Sequence, residues 1–330
     1  LPPADLAEAA TPIAGVYLSS YLRPFAAWLE MPDVSEILVN RPGELWVELQ
    51  GEPQMRRVDA PEVSDELLGR LATQIARAGC QAVNRENPLL AATLPGGERV
   101  QMVGPPAARH WALAIRRHQM TDLELADYDR GPLAEPDQGG AQLRQAEATA
   151  DPIGFLRRAV QARRTILISG GTSSGKTTFL NSLLKIVPAH ERILLVEDTR
   201  EIAARQPNLL GLTAVKGDLG EARITVDDLL QAALRLRPDR IIVGEIRGRE
   251  AATFLRAINT GHPGSFTTVH ANTPQGALEQ IALMMMQAGL ALPRSETLAY
   301  VHSVVDVVVQ LARVEGQRRI VDIRVLDRGA

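Results

Sequence analysis

Residues 170–177, Gly-Gly-Thr-Ser-Ser-Gly-Lys-Thr, are the stretch whose types and spacing most directly imply chemistry. Gly170, Gly175, Lys176 and Thr177 fill every fixed position of the pattern G-x-x-x-x-G-K-[ST]. An apolar, β-branched run at 165–169 feeds this loop, and a helical pattern of Phe179, Leu180, Leu183, Leu184 and Val187 leaves it, stopping at Pro188. The glycines allow torsions and close approach that a Cβ forbids. The amides of Gly170, Gly171, Thr172, Ser173, Ser174, Gly175, Lys176, Thr177 and Thr178, with the positive end of the helix behind them, suit an anion. Lys176 can reach β- and γ-phosphates, and the Thr177 hydroxyl can ligate Mg²⁺. A Gly/Ser turn carrying a chance lysine would need neither the strand before it nor the helix after it. A nucleotide site is expected.

Such a site needs acids for metal and water. Glu197 and Asp198 follow the apolar run 193–196, and Glu245 follows 241–244, both at strand ends where α/β sites gather. An isolated acid there can equally cap the next helix. Two of them downstream of a phosphate loop point instead to Mg²⁺, directly or through water, with Thr177, Glu197, Asp198 and Glu245 as metal candidates. Glu245 stands where an aspartate is more usual, so its longer side chain suits the attacking water. In 261–270 a glycine turn enters a strand whose alternation puts Thr268 and His270 on one face. His270 can donate to a γ-phosphate or link the site to a neighbouring subunit; taken alone it would pass for a core histidine. The spacing from His262 to His270 is no zinc motif.

The elements that must position these groups fall into two blocks, as 330 residues suggest. The first, residues 1–120, reads as a small α+β domain. It has a helix from Ile13 to Leu29 that Pro24 should bend or divide, and strand-like runs at 36–40 and 45–49. Ser64 caps an amphipathic helix, a hairpin turns at Gly96-Gly97, and a strand ends near Arg116. Residues 121–151, acidic and rich in Pro, Gly, Gln and Ala, read as a linker with a weak helix between 141 and 148. Residues 152–330 alternate strands and helices, the pattern of a mainly parallel sheet, closed by an antiparallel pair at 304–311 and 319–325. A capping box, Thr225 with Asp228, opens the helix at 225–236.

Composition narrows the partners. A net charge of -3 argues against a basic nucleic-acid clamp, and the arginine pairs, Arg318-Arg319 among them, read as solvated surface. One cysteine, Cys80, permits no intrachain disulfide and favours a reducing compartment; it reads as a buried or boundary thiol at a helix end. No run of 18 apolar residues occurs, and the N-terminal residues carry no signal-peptide pattern. Met284-Met285-Met286 reads as core or subunit interface.

In order, the lysine-threonine loop, Glu197-Asp198-Thr199, Arg237 to Arg240 with Gly244 to Gly248, and the His270 segment resemble the Walker A, Asp box, Walker B and His box of the secretion ATPase superfamily. Residues 34–44 and 97–107 are similar to its type IV secretion branch, the traffic ATPases of virulence-operon B and conjugation systems. The resemblance implies an α/β fold, with a RecA-like P-loop C-terminal domain and a smaller α+β N-terminal domain. It implies ATP and Mg²⁺ as ligands and a homohexamer on the cytoplasmic face of a bacterial inner membrane. Partners would be other type IV secretion ATPases and inner-membrane components, without sequence-specific nucleic-acid binding. It implies, further, that Arg99 and Arg116 of the N-terminal domain approach the terminal phosphate, with the adjacent Arg117 as the rival to Arg116, and that catalysis draws on Lys176, Glu197, Glu245 and His270. A pilus motor and a nucleotide-gated scaffold with little turnover are the alternatives, and a DNA pump resembling recombination ATPases is a third.

Overall fold

The computed structural model describes residues 13–117, 145–216, 223–289 and 292–326. The chain divides into two compact units, residues 1–119 and 120–330. Unit one runs α1 (Ile13–Glu30), β1 (Val34–Val39), β2 (Gly43–Leu49), β3 (Arg56–Ala60), α2 (Asp65–Ala78), β4 (Leu89–Thr93), β5 (Arg99–Val103) and β6 (Ala112–Arg116). Its strands form one antiparallel sheet in the order β3-β2-β1-β6-β5-β4. Both helices pack on it. Phe25 of α1 and Leu68, Leu71 and Ile75 of α2 meet Ile37, Val47, Leu90 and Ile115 in one core. The Leu67 amide donates to Ser64 Oγ at 3.1 Å, which caps α2 as the sequence predicts.

Two local expectations change here. Pro24 lies inside a single helix rather than dividing it. A proline forfeits one backbone donor, and Phe25, fully buried beside it, anchors the chain to the core. Cys80 is exposed, not buried. The helix ends at Ala78, and Cys80 takes φ 52, which turns it off the packed face.

Unit two holds α3 (Gln145–Ala150), α4 (Pro152–Gln161), β7 (Ile166–Gly170), α5 (Lys176–Leu184), β8 (Ile193–Glu197), β9 (Leu209–Thr213), β10 (Val215–Lys216) and β11 (Arg223–Ile224). It continues through α6 (Val226–Ala233), β12 (Arg240–Val243), α7 (Glu250–Asn259), β13 (Phe266–Val269), α8 (Pro274–Gln287), α9 (Arg294–Val304), β14 (Val307–Val314) and β15 (Gln317–Val325). Seven strands form a sheet in the order β15-β14-β7-β13-β12-β8-β9, parallel except for β15. This is the α/β, RecA-like fold the motifs imply. The capping box of Thr225 and Asp228 is present on α6. Strands β3, β9, β10 and β11 and helix α9 have no counterpart in the sequence reading. Most of the stretch read as a linker lies outside the described residues, but its last part is α3. Gln145 Nε2 donates to the Ile323 carbonyl at 2.6 Å and its Oε1 accepts from the Val325 amide at 2.9 Å, so α3 is tied to β15.

The amino ends of the parallel strands are laced by buried polar groups. Arg240 is fully buried, with Nε 2.5 Å and Nη2 2.9 Å from the two Glu191 oxygens, and it donates to the Val160 and Gly264 carbonyls. Arg192, equally buried, reaches Asn208 Oδ1 at 2.6 Å and the Leu236 carbonyl, while its own amide donates to Asp239 Oδ2. Asp306 accepts from the Thr165 amide at 2.7 Å. Among the described residues, no helix is long and apolar enough to cross a membrane.

Candidate functional site

The sequence-expected groups of unit two meet at the carboxyl ends of its parallel strands, around a cleft of about 380 Å³. Strand β7 ends at Gly170, β8 at Glu197, β12 just before Gly244-Glu245 and β13 just before His270. Thr172 to Thr178, Glu197, Asp198, Glu245, Thr268 and His270 all line the cleft. The loop's geometry explains its composition. A Cβ on Gly170 would lie 2.3 Å from Ser174 Oγ and 2.9 Å from the Leu311 carbonyl oxygen. Gly175 takes φ 92 as the residue before α5, a left-handed torsion suited to glycine.

Lys176 is buried, and its Nζ lies 3.0 Å from the Gly170 oxygen, 3.2 Å from the Gly171 oxygen and 3.2 Å from His270 Nδ1. Burial holds its pKa below the ordinary lysine value; Glu245 opposes that shift and Arg247 adds to it. From His270 the charges continue outward. His270 Nε2 is 2.8 Å from Glu245 Oε1. Glu245 Oε2 accepts from Arg247 Nη2 at 2.7 Å, and Arg247 Nη1 is 3.7 Å from Asp198 Oδ2. The hydrogen bond that Arg247 donates to Glu245 raises the Arg247 pKa. Glu245 Oε1 is buried and has no donor in hydrogen-bond alignment despite the histidine nearby.

Glu197 and Asp198, adjacent in sequence, are placed differently. Glu197 is buried, its Oε1 accepting from the Glu201 amide at 2.9 Å and the Ile202 amide at 2.8 Å. Desolvation raises its pKa, against the lowering effect of those two amides. Asp198 is more exposed and faces Arg247. Two participants escaped the sequence reading. Glu201 Oε2 accepts from Thr177 Oγ1 at 3.3 Å, a contact for which the only hint was a third acid four residues after Glu197. Arg318, read as solvated surface, lines the cleft.

Among the described residues no group of three or more His, Cys, Asp or Glu converges on a metal. A threonine hydroxyl with carboxylates dispersed around a cleft is a donor set that fits Mg²⁺ held mainly by phosphate oxygens and water. The residues present therefore fit the ion.

In unit one, Arg99 and Arg116 are direct register partners across β5 and β6, and Glu36 of β1 pairs with Arg116 on the other side. Arg116 Nε is 3.7 Å from Glu36 Oε1. Arg117 is committed elsewhere: its guanidinium donates to the Met31 and Val34 carbonyls. Arg116, not Arg117, thus stands beside Arg99.

The profile of a family described as "Type II/IV secretion system protein" matches residues 22–321. The chain is 37% identical over 326 residues to the type IV secretion system protein VirB11 of Bartonella quintana (strain Toulouse), covering 92% of this chain and 91% of that protein. It is 40% identical over 320 residues to the type IV secretion system protein PtlH of Bordetella pertussis, covering 92% and 93%. Among solved structures it is similar to the VirB11 ATPase of the Brucella suis type IV secretion system, crystallised with sulphate. That likeness has a TM-score of 0.84 and 32% identity, over 94% of this chain and 95% of that one.

Proposed function

From the premise that the chain belongs to the type II/IV secretion system protein family, in its type IV secretion branch, we propose that it hydrolyses MgATP to energise a bacterial type IV secretion system. The work would be assembly of that system or transfer of its substrate. The observation that carries the reading is the run Lys176, His270, Glu245, Arg247 along one side of a cleft that the phosphate loop closes. The names of the relatives favour secretion over a pilus motor.

In this reading Lys176 gives up the Gly170 and Gly171 carbonyls for the β- and γ-phosphate oxygens, which also return charge-stabilising partners to its buried ammonium. The amides of 172–178 hold the remaining phosphate oxygens. Thr177 would hold Mg²⁺, with Glu197, Asp198 or Glu245 reaching it through water, and the ion would supply positive charge against that of the phosphates. Glu245 Oε1, which lacks an aligned donor, accepts a hydrogen bond from the attacking water and draws its proton as the oxygen approaches phosphorus. His270 donates to the γ-phosphate in this reading, and its closeness to Glu245, 2.8 Å from Nε2 to Oε1, supports a part in orienting that carboxylate. Arg99 and Arg116 add positive charge to the transferring phosphoryl group, an effect of several kcal/mol when an arginine is well placed.

The active form is a homohexamer on the cytoplasmic face of the inner membrane, in contact with other secretion ATPases and inner-membrane components. Loss of the γ-phosphate moves one domain against the other. Glu245→Gln should bind ATP with nearly wild-type affinity and turn it over about 10²–10³-fold more slowly. Wild-type turnover in that variant would refute the assignment. Equal steady-state hydrolysis by wild type and Lys176→Ala would instead favour a scaffold that binds without turnover.

A further inference from the structure

The cleft holds a cation that neither the motifs nor the mechanism above uses. Strand β14 runs parallel to β7 and stays in register with it to the pair Leu311 and Gly170, where β7 turns into the phosphate loop. Beyond that point β14 continues to Val314, turns through Glu315 (φ 50) and Gly316 (φ 80), and returns as β15. Two positive φ values in a two-residue turn give a tight, right-twisted hairpin. The ladder pairs Arg313 with Arg318 and Ala312 with Arg319, so the first residues of β15 lie past the end of β7, at the level of the loop.

Arg318 uses this position. A Cβ on Gly175 would lie 2.6 Å from Arg318 Cδ and 3.2 Å from its Nε, so the arginine occupies the space over the loop's last glycine. Its Nη1 is 3.5 Å from Thr178 Oγ1, at the outer limit of a hydrogen bond. Arg247, the other arginine lining the cleft, is engaged by Glu245 and Asp198. Among the described residues Arg318 has no carboxylate partner, and it sits on the Gly175 and Thr178 side of the loop, whereas Lys176 Nζ meets His270. A guanidinium without an acid, beside amides that suit α- and β-phosphates, is a ready partner for those phosphates.

We propose that Arg318 is a nucleotide-binding residue, contributed by the same chain as the loop, that grips the α- or β-phosphate common to ADP and ATP. The proposal rests on the nucleotide reading of the cleft and extends it to a residue outside the motifs. A contact shared by substrate and product contributes uniform binding, so it should govern KM and ADP retention rather than the chemical step.

The test is titration of the full chain with MgADP and with a non-hydrolysable Mg-ATP analogue, alongside steady-state hydrolysis. Arg318→Ala should weaken both ligands by a similar factor, about 10-fold, and raise KM with kcat nearly unchanged. Arg318→Lys should restore part of the loss as a point charge without the planar fork. Arg319→Ala is the control for hairpin damage, since Arg319 bonds Gln317 rather than the loop. Wild-type ADP affinity in Arg318→Ala, a loss confined to the triphosphate, or an equal loss in Arg319→Ala would each overturn the assignment. If the wild type binds neither nucleotide, the nucleotide reading falls and this one with it. If wild type binds, Lys176→Ala does not and Arg318→Ala is normal, only this one falls.

Discussion

At the scale of single residues, the two acids that follow one another at the end of β8 differ in burial, and the buried one gives a pH prediction. The buried Glu197 has its pKa raised by desolvation, so between the ordinary glutamate value and the raised one the native state holds more protons than the unfolded state. Stability should therefore fall as pH rises through that window and level off above it. Glu197→Gln keeps an acceptor for the Glu201 and Ile202 amides and removes the charge. We expect it to flatten that part of the denaturant-midpoint profile and to unfold at a slightly higher temperature near neutral pH. A profile parallel to the wild type would refute this assignment. The loop and its acids were legible in the sequence because their grammar is local: four fixed loop positions, and carboxylates directly after apolar runs. Glu201 and Arg318 were not. One depends on how the chain folds back after β8, and the other on a contact spanning 140 residues that exists only because β14 chooses β7 as its neighbour.

At the scale of elements, the parallel sheet was legible from the alternation of apolar runs with helical patterns, and the hairpin β14–β15 from its two β-rich runs. The pairing order was not, since apolar strands carry no label for their neighbours. Nor was the role of Arg240, which lies in the stretch resembling a Walker B box yet faces the opposite end of the strand. There it is an anchoring group. Removing one member of a buried ion pair leaves the other charge uncompensated, so Glu191→Ala should cost about 3–5 kcal/mol of unfolding free energy by denaturant titration. Gly175→Ala is strained twice, by its φ of 92 and by Arg318 Cδ, and should lower both stability and nucleotide affinity. Adding Arg318→Ala removes only the second conflict, so the double variant should recover part of the stability and none of the affinity.

At the scale of the whole molecule, the two compact units have separate cores, and the cleft that the phosphate loop lines is formed by residues of the second. Leu71→Ala, deep in the core of unit one, should cost about 2–5 kcal/mol there. Saturating MgADP should raise the transition of unit two, by linkage, whether or not that substitution is present. Differential scanning calorimetry of both chains, with and without ligand, separates the effects. Molecular mass in solution with and without MgATP tests the hexamer, for which a persistent monomer would be the contrary result. The two-block composition made this division readable. The docking of α3 on β15 was not, because α3 carries too few apolar residues to announce a contact made through one glutamine.

The laced amino ends of the strands in unit two carry a last consequence. Asp306 fastens β14 to β7, and Arg192, Arg240, Glu191 and Asp239 fasten β13, β12, β8 and β9 to one another at the same rim, while the opposite rim ends in the loops that face the cleft. A sheet fastened along a single rim behaves as a fixed base under a yielding margin. Amide hydrogens of Ile193 and Ile241 should exchange with deuterium only on global unfolding, while those of 171–175 and 244–248 should exchange orders of magnitude sooner and slow sharply once nucleotide is present.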